Sequence, residues 1–154
     1  MSLALVALSL LAACVIVQSL GMLLLIHWLA RVRQVLESSN VFRRVGLLVR
    51  VFVWIVFLHL VQVVLWALVF LRAGELPGLE TAVYFSLATY TTIGFGDVVL
   101  RPGWRVLAGI EGLTGMVLIG WSTAFVFAIV NRMYEHWRQV HDPDLGRDEL
   151  RRVT

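Results

Sequence analysis

Charge is what this sequence has least of. Only 15% of its 154 residues are Asp, Glu, Lys or Arg, against about 25% in an ordinary soluble domain. Lysine is missing altogether, so all thirteen basic side chains are arginines. They flank apolar segments and form no basic face with interleaved aromatics, which argues against nucleic-acid binding. One cysteine, Cys14, excludes an intrachain disulfide and leaves redox chemistry without support. The three prolines fall at turns: Pro77 and Pro102 beside glycines, and Pro143 between two aspartates. What is abundant is apolar surface. Hydrophobic residues make up 60% of the chain and the mean hydropathy is +0.86. An all-α membrane protein of a few spans is the expected class.

Three apolar runs are long enough to cross a bilayer. Leu3 to Leu29 is broken only by small residues, Gln18 and His27, and at 1.5 Å per residue it covers roughly 40 Å. Leu11-Ala12-Ala13-Cys14 within it has the look of a lipoprotein cleavage box. No positive segment precedes that box and the run continues past it, so a small packing residue is the expected role of Cys14. Arg31, Arg33, Arg43 and Arg44 crowd the next connector, in which Ser39 or Asn40 is placed to cap a helix. Such a cluster marks the cytoplasmic side. Residues 1–44 thus read as one transmembrane helix and a cytoplasmic connector, with the N-terminus outside. The second run is 45–71 and the third 104–131. A short segment, 79–91, reads as a helix too short to span. Residues 132–154 form a short cytoplasmic tail, broken at Asp142-Pro143-Asp144. Multi-pass placement in the cell (inner) membrane follows.

Between the short helix and the third run lies Thr91-Thr92-Ile93-Gly94-Phe95-Gly96-Asp97. It is polar and Gly-punctuated. Two glycines one residue apart let the backbone alternate between conformations closed to other residues, so that successive carbonyls can point one way. Such a backbone is tolerated at membrane depth only where it is buried in protein or lines a wet cavity. The stretch resembles the selectivity filter of potassium channels of the pore-loop superfamily, usually written T-V-G-Y-G. The likeness extends over residues 45 to 130, as outer helix (45–71), pore helix (79–91), filter (92–96) and inner helix (104–131), preceded by one extra helix.

The resemblance implies a homotetramer in membrane lipid, with K+ as the permeant ligand and no cofactor, nucleic acid or enzyme substrate. It implies that Thr92, Ile93, Gly94 and Phe95 supply the K+-binding oxygens, with Gly96 and Asp97 supporting them. Phe95 lacks the usual tyrosine hydroxyl, and Ala88 stands where some relatives have a glutamate. Both changes point to a looser filter. Glu111, ionisable inside the third span, is a functional candidate by default. Hydrogen bonding to Thr89, Tyr90 or Tyr84 behind the filter is favoured over a pore-facing charge, because Glu111 lies about 140° around the helix from Met116. Met116, Ile119, Thr123 and Phe127 form the expected cavity stripe, with Phe127 and Val130 as an apolar constriction. Gly109 and Gly112 are expected to pack on the pore helix and Gly115 to act as a gate hinge. Gln18 and His59 fall about 22 and 18 Å from the outer helix ends and are expected to share a hydrogen-bonded layer. Proton sensing by His59 is the alternative. No residues assemble a nucleophile or metal constellation, so the chain is not expected to be an enzyme. The competing functions are a weakly selective cation channel of the same fold and a non-conducting regulatory subunit.

Overall fold

A computed structural model describes residues 3–32 and 41–141. Four α-helices carry the chain: α1 (Leu3–Arg31), α2 (Val41–Arg72), α3 (Leu79–Tyr90) and α4 (Arg105–His141). A single 3-10 turn, Pro102–Trp104, leads into α4. Among the described residues there is no strand. α1, α2 and α4 are each long and apolar enough to cross a membrane, and α3 at 12 residues is not.

α2 begins at Val41, four residues before the apolar run, and α4 continues ten residues past the expected end of the inner helix. Neither extension contains a proline or glycine to stop it. α4 is described as far as His141, just before the Asp142-Pro143-Asp144 break expected from the sequence. The rest of the tail, and the proposed caps Ser39 and Asn40, lie outside the described residues.

α1 packs against both α2 and α4 of the same chain, and α3 fits between α2 and α4. The contact stripe of α1 is Ala7, Leu10, Cys14, Gln18, Gly21, Leu25 and Leu29, a three-four spacing that keeps one face inward. Met22 is buried beside that stripe, and Leu5, Leu8, Ile16, Leu20, Leu23, Leu24 and Ile26 on the other side stay exposed, as a lipid-facing surface requires. Lipid is as apolar as leucine, so close contact rather than the hydrophobic effect holds such helices together. Gly21 shows how close the contact is: an added Cβ would lie 2.4 Å from Leu58 Cδ2.

The interior is stacked in three tiers. The outer cluster joins Cys14, Trp66, Phe70, Phe85, Leu107 and Leu118 with their neighbours. The inner cluster joins Met22, Leu25, Leu47, Val51, Ile129 and Met133. Between them lie buried polar groups from all four helices: Gln18, Gln62, Tyr90 and Ser122, with half-buried His59.

Candidate functional site: the loop after the short helix

α3 ends at Tyr90, and the chain leaves it in an unusual backbone. Positive φ angles occur at Thr92 (61°), Gly94 (55°) and Gly96 (79°), at every second residue. For a β-branched residue such as Thr92 this is a strained conformation. Thr92 N–H donates to Thr89 O at 2.9 Å, and Ile93 and Gly94 N–H both donate to Ala88 O at 2.9 and 3.1 Å. The last carbonyls of a helix have no partner within it. Here the following loop folds back to supply them. In a trans peptide the N–H and C=O point opposite ways, so the carbonyls of Thr91, Thr92 and Ile93 face away from α3. Among the described residues, nothing donates to the carbonyls of Thr92, Ile93, Gly94 or Phe95.

The next residues are tied down from behind. Tyr84 Oη donates to Asp97 Oδ2 at 2.8 Å, and the Tyr84 ring stacks on Phe95 at 6.2 Å between centroids. A cavity of about 120 Å³ lies there, lined by Ala88, Thr89, Phe95 and Asp97 among others. Farther out, Arg101 clamps Glu75: Nε donates to Oε1 at 2.9 Å and the backbone N–H to Oε2 at 3.3 Å. This joins the loop after α2 to the loop before α4.

A short helix that does not span, a loop with a row of unpaired carbonyls, and flanking membrane-length helices together describe a re-entrant element. A family model described as "Ion channel" matches residues 47–132 of the 154, more than half of the chain. The chain belongs to the ion-channel family. No curated protein and no solved structure matches the channel.

The matched region holds α3, the loop, and most of α2 and α4, and so the whole of this channel's candidate site. Met116 (59% exposed), Ile119, Thr123 and Phe127 (70%) share an open face of α4. Glu111 is 0% exposed and lies off that face. No hydrogen bond joins it to its expected partners: Tyr84 donates to Asp97 and Tyr90 to Gln62. Neither Glu111 carboxyl oxygen has a hydrogen bond, nor has Ser86 Oγ.

The glycines divide differently from the expectation. A Cβ on Gly109 would meet nothing within 4 Å, so it does not pack on α3. On Gly112 it would lie 3.2 Å from Thr89 O. Gly115 is the tightest: its Cβ would lie 2.0 Å from Tyr90 O. Gly115 is therefore not on the open face with Met116 but at the contact of α4 with the end of α3.

Gln18 and His59 do share a layer, although not by a direct bond. Gln18 Nε2 donates to Ser122 Oγ and Gln62 Nε2 to Gln18 Oε1, both at 2.8 Å. Tyr90 Oη donates to Gln62 Oε1. The His59 ring lies 3.0 Å from Tyr90 Oη through Nδ1 and 3.0 Å from Ser122 Oγ through Nε2. Tyr90, next to the strained loop, is thereby tied to α1, α2 and α4. Gln62 shares the helical face of His59 at i, i+3, whereas Ser122 and Tyr90 are the members that sequence reasoning passed over. Tyr90→Phe is expected to cost about 1–2 kcal/mol by leaving Gln62 Oε1 and His59 with one partner fewer. Unfolding of the detergent-solubilised protein by graded denaturant measures it, and an unchanged midpoint would remove the layer from the list of stabilising features.

The outer clamp gives a pH prediction. Hydrogen bonding from the Arg101 guanidinium holds the Glu75 carboxyl below the usual carboxylate range. Folded Glu75 thus binds a proton less readily than unfolded Glu75. Its stabilising effect is complete above the ordinary range, near pH 4.3, and is lost as pH falls through the lowered folded value. Hydrogen-exchange protection, measured against the intrinsic rate at each pH, is expected to fall in residues 73–78 and 98–104 below about pH 4. Glu75→Gln is expected to exchange faster at neutral pH and to lose that acid step.

Proposed function

We propose that four copies of this chain surround one axis and form a potassium-selective pore. In this reading Thr92 supplies hydroxyl and carbonyl oxygens at the inner end, and the carbonyls of Ile93, Gly94 and Phe95 form rings above it. K+ sheds its water into that oxygen cage and advances by repulsion between occupied sites. The observation that carries the proposal is the row of carbonyls without donors, with the loop N–H groups turned back onto Ala88 and Thr89. A backbone in that state within a membrane needs a partner, and a dehydrated cation is one. One chain cannot close a ring, so the reading entails a homotetramer. The exposure of Ile93 and Phe95 in the single chain supports it, since both leave large apolar surface for a neighbour to cover. In this reading the N-terminus lies outside and the C-terminus in the cytoplasm, with the Arg-rich helix ends as support. No covalent chemistry is involved.

A weakly selective cation pore is the second reading. The space beside Ala88 and the missing hydroxyl of Phe95 favour it, because an unfilled wall lets the oxygen cage adjust to other ions. Flux from K+-loaded proteoliposomes, with Na+ replacement and barium block, tests both. The expected result is barium-sensitive K+ flux with little Na+ flux. Equal fluxes would establish the weakly selective pore. Absence of flux from an inserted tetramer, including variants opened at the inner constriction near Phe127, would support the regulatory subunit.

A further inference from the structure

Two adjoining cavities lie between α1 and α2 at the end of the molecule away from the Thr92–Asp97 loop. The first, of about 450 Å³, is lined by Leu24, Leu25, Trp28, Arg50 and Trp54. The second, of about 230 Å³, has Trp28 and Arg50 in its wall as well, together with Arg43, Gly46 and Leu47. The first is almost wholly apolar, and the second has two arginines in its wall. Their sequence along the bundle matches that of a lipid molecule, with chain on one side and headgroup on the other.

We propose that this groove binds an anionic glycerophospholipid. Its phosphate lies between Arg50 and Arg43, and an acyl chain lies along Leu24, Leu25 and Trp54.

The depth of the groove supports that occupant. Arg50 and Arg72 stand 22 positions apart on α2, about 33 Å along the axis. The hydrocarbon core is about 30 Å thick. With Arg72 at one boundary, Arg50 falls at the other, where acyl chains give way to phosphates. Arg43 is two turns farther out and on the same face, at i and i+7. Trp28 lies at the same level on α1, and interfaces favour its amphipathic ring. Trp54, one turn deeper than Arg50, is held by its Nε1–H on Gly21 O at 3.0 Å and forms a fixed apolar floor.

Charge selects the headgroup. Among the described residues, neither Arg43 nor Arg50 has a carboxylate or hydrogen-bond partner. An arginine at the edge of hydrocarbon is costly without one, and a phosphate accepts its paired N–H groups in bidentate fashion. The positive end of the α2 dipole adds to the same preference. A zwitterionic lipid brings a phosphate too, but its ammonium offsets the attraction. The site rests on membrane insertion alone and is independent of which ion the pore selects.

The test uses the full-length, delipidated protein in neutral detergent. Bound lipid is counted by native mass spectrometry and the unfolding midpoint is read with dioleoylphosphatidylglycerol, dioleoylphosphatidylcholine or water-soluble glycerol phosphate. Each arginine is worth about fivefold in affinity for an anionic surface, so phosphatidylglycerol is expected to be retained about 25-fold better than phosphatidylcholine. The preference shrinks at high salt. Arg50→Gln is expected to lower it about fivefold and the Arg43→Gln/Arg50→Gln pair to abolish it, while Arg50→Lys keeps most of it. Gly46→Leu is the variant that leaves both charges in place. A Cβ there meets nothing within 4 Å, so the added side chain fills the second cavity without straining the helix. It is expected to remove the preference and leave the lipid-free midpoint unchanged or raised. Equal retention of the two lipids, or an undiminished preference in the double variant and Gly46→Leu, would overturn the proposal. So would glycerol phosphate reproducing the shift at the same concentration, since the groove would then take a free anion.

Discussion

Gly96→Ala is expected to abolish selective flux while leaving the three spanning helices folded. The φ angle of Gly96 is 79°, a region in which an alanine Cβ crowds the carbonyl at a cost of about 1–2 kcal/mol. In a fourfold pore the penalty is paid four times, so it reaches about 4–8 kcal/mol per pore. The alanine escapes by rotating φ. That rotation turns the plane of the preceding peptide and carries the Phe95 carbonyl with it, so in the proposed pore the strain is relieved by losing an oxygen ring. Gly94→Ala acts in the same way on the Ile93 carbonyl, from a φ of 55°. Gly74→Ala is the control, because Gly74 has a φ of 68° but lies in the loop after α2, with nothing near its Cβ. It is expected to lower stability by a similar amount per chain and to leave ion selectivity untouched. Reversal potentials in bilayers separate the three variants. Wild-type selectivity in Gly96→Ala would show that the pore does not run past the Phe95 carbonyl.

Gly115→Ala is expected to be the most damaging single-methyl change in the helices. The new Cβ would lie 2.0 Å from Tyr90 O, 2.8 Å from Tyr90 C and 3.0 Å from the Tyr90 ring. Two of these atoms are backbone, so no rotamer change relieves the clash. Either α4 moves out or the end of α3 moves with the loop attached to it. Overpacking usually costs about 1–3 kcal/mol, and a backbone clash of this depth belongs at the upper end or beyond. Displacing Tyr90 also pulls it from Gln62 and His59, which adds the loss of the polar layer. Gly120→Ala is the internal comparison: it lies on the same helix and its Cβ meets nothing within 4 Å. Alanine is the better helix former, so this variant is expected to be neutral or slightly stabilising. Denaturant unfolding in detergent and the yield of assembled oligomer read both. Equal stability of the two variants would mean that α4 and α3 do not approach at Gly115 in the membrane.

Local rules accounted for the elements but not for their meetings. The three spans were legible because long apolar runs separated by arginines and turn residues have few other readings. The strained loop was legible from its two glycines, whose positions also carry two of the three positive φ angles. The layer at Gln18 and His59 was legible only as a depth match. Its bonding depends on Ser122 and Tyr90, and a serine beside Thr123 or a tyrosine beside two threonines carries no mark of a partner more than thirty residues away. The glycines of α4 show the same limit. Gly109, Gly112 and Gly115 look equivalent in a three-residue repeat, yet only Gly112 and Gly115 face α3, and the closest approach falls on Gly115 rather than on the open face. The Glu75–Arg101 clamp and the Tyr84–Asp97 bond likewise join groups from separate loops and helices.

The sequence by itself determined that the chain is an all-α membrane protein with three spans, a short helix and a Gly-punctuated loop between the last two. Those features follow from hydropathy, length and the φ freedom of single residues, which are local quantities. Tertiary structure decided which polar groups satisfy one another, which glycine bears the helix contact, where Glu111 is buried, and that two arginines seven residues apart open onto one groove. Those outcomes depend on how helices turn and slide against each other, at distances where one turn of rotation replaces every neighbour, and no local pattern in the chain encodes that rotation.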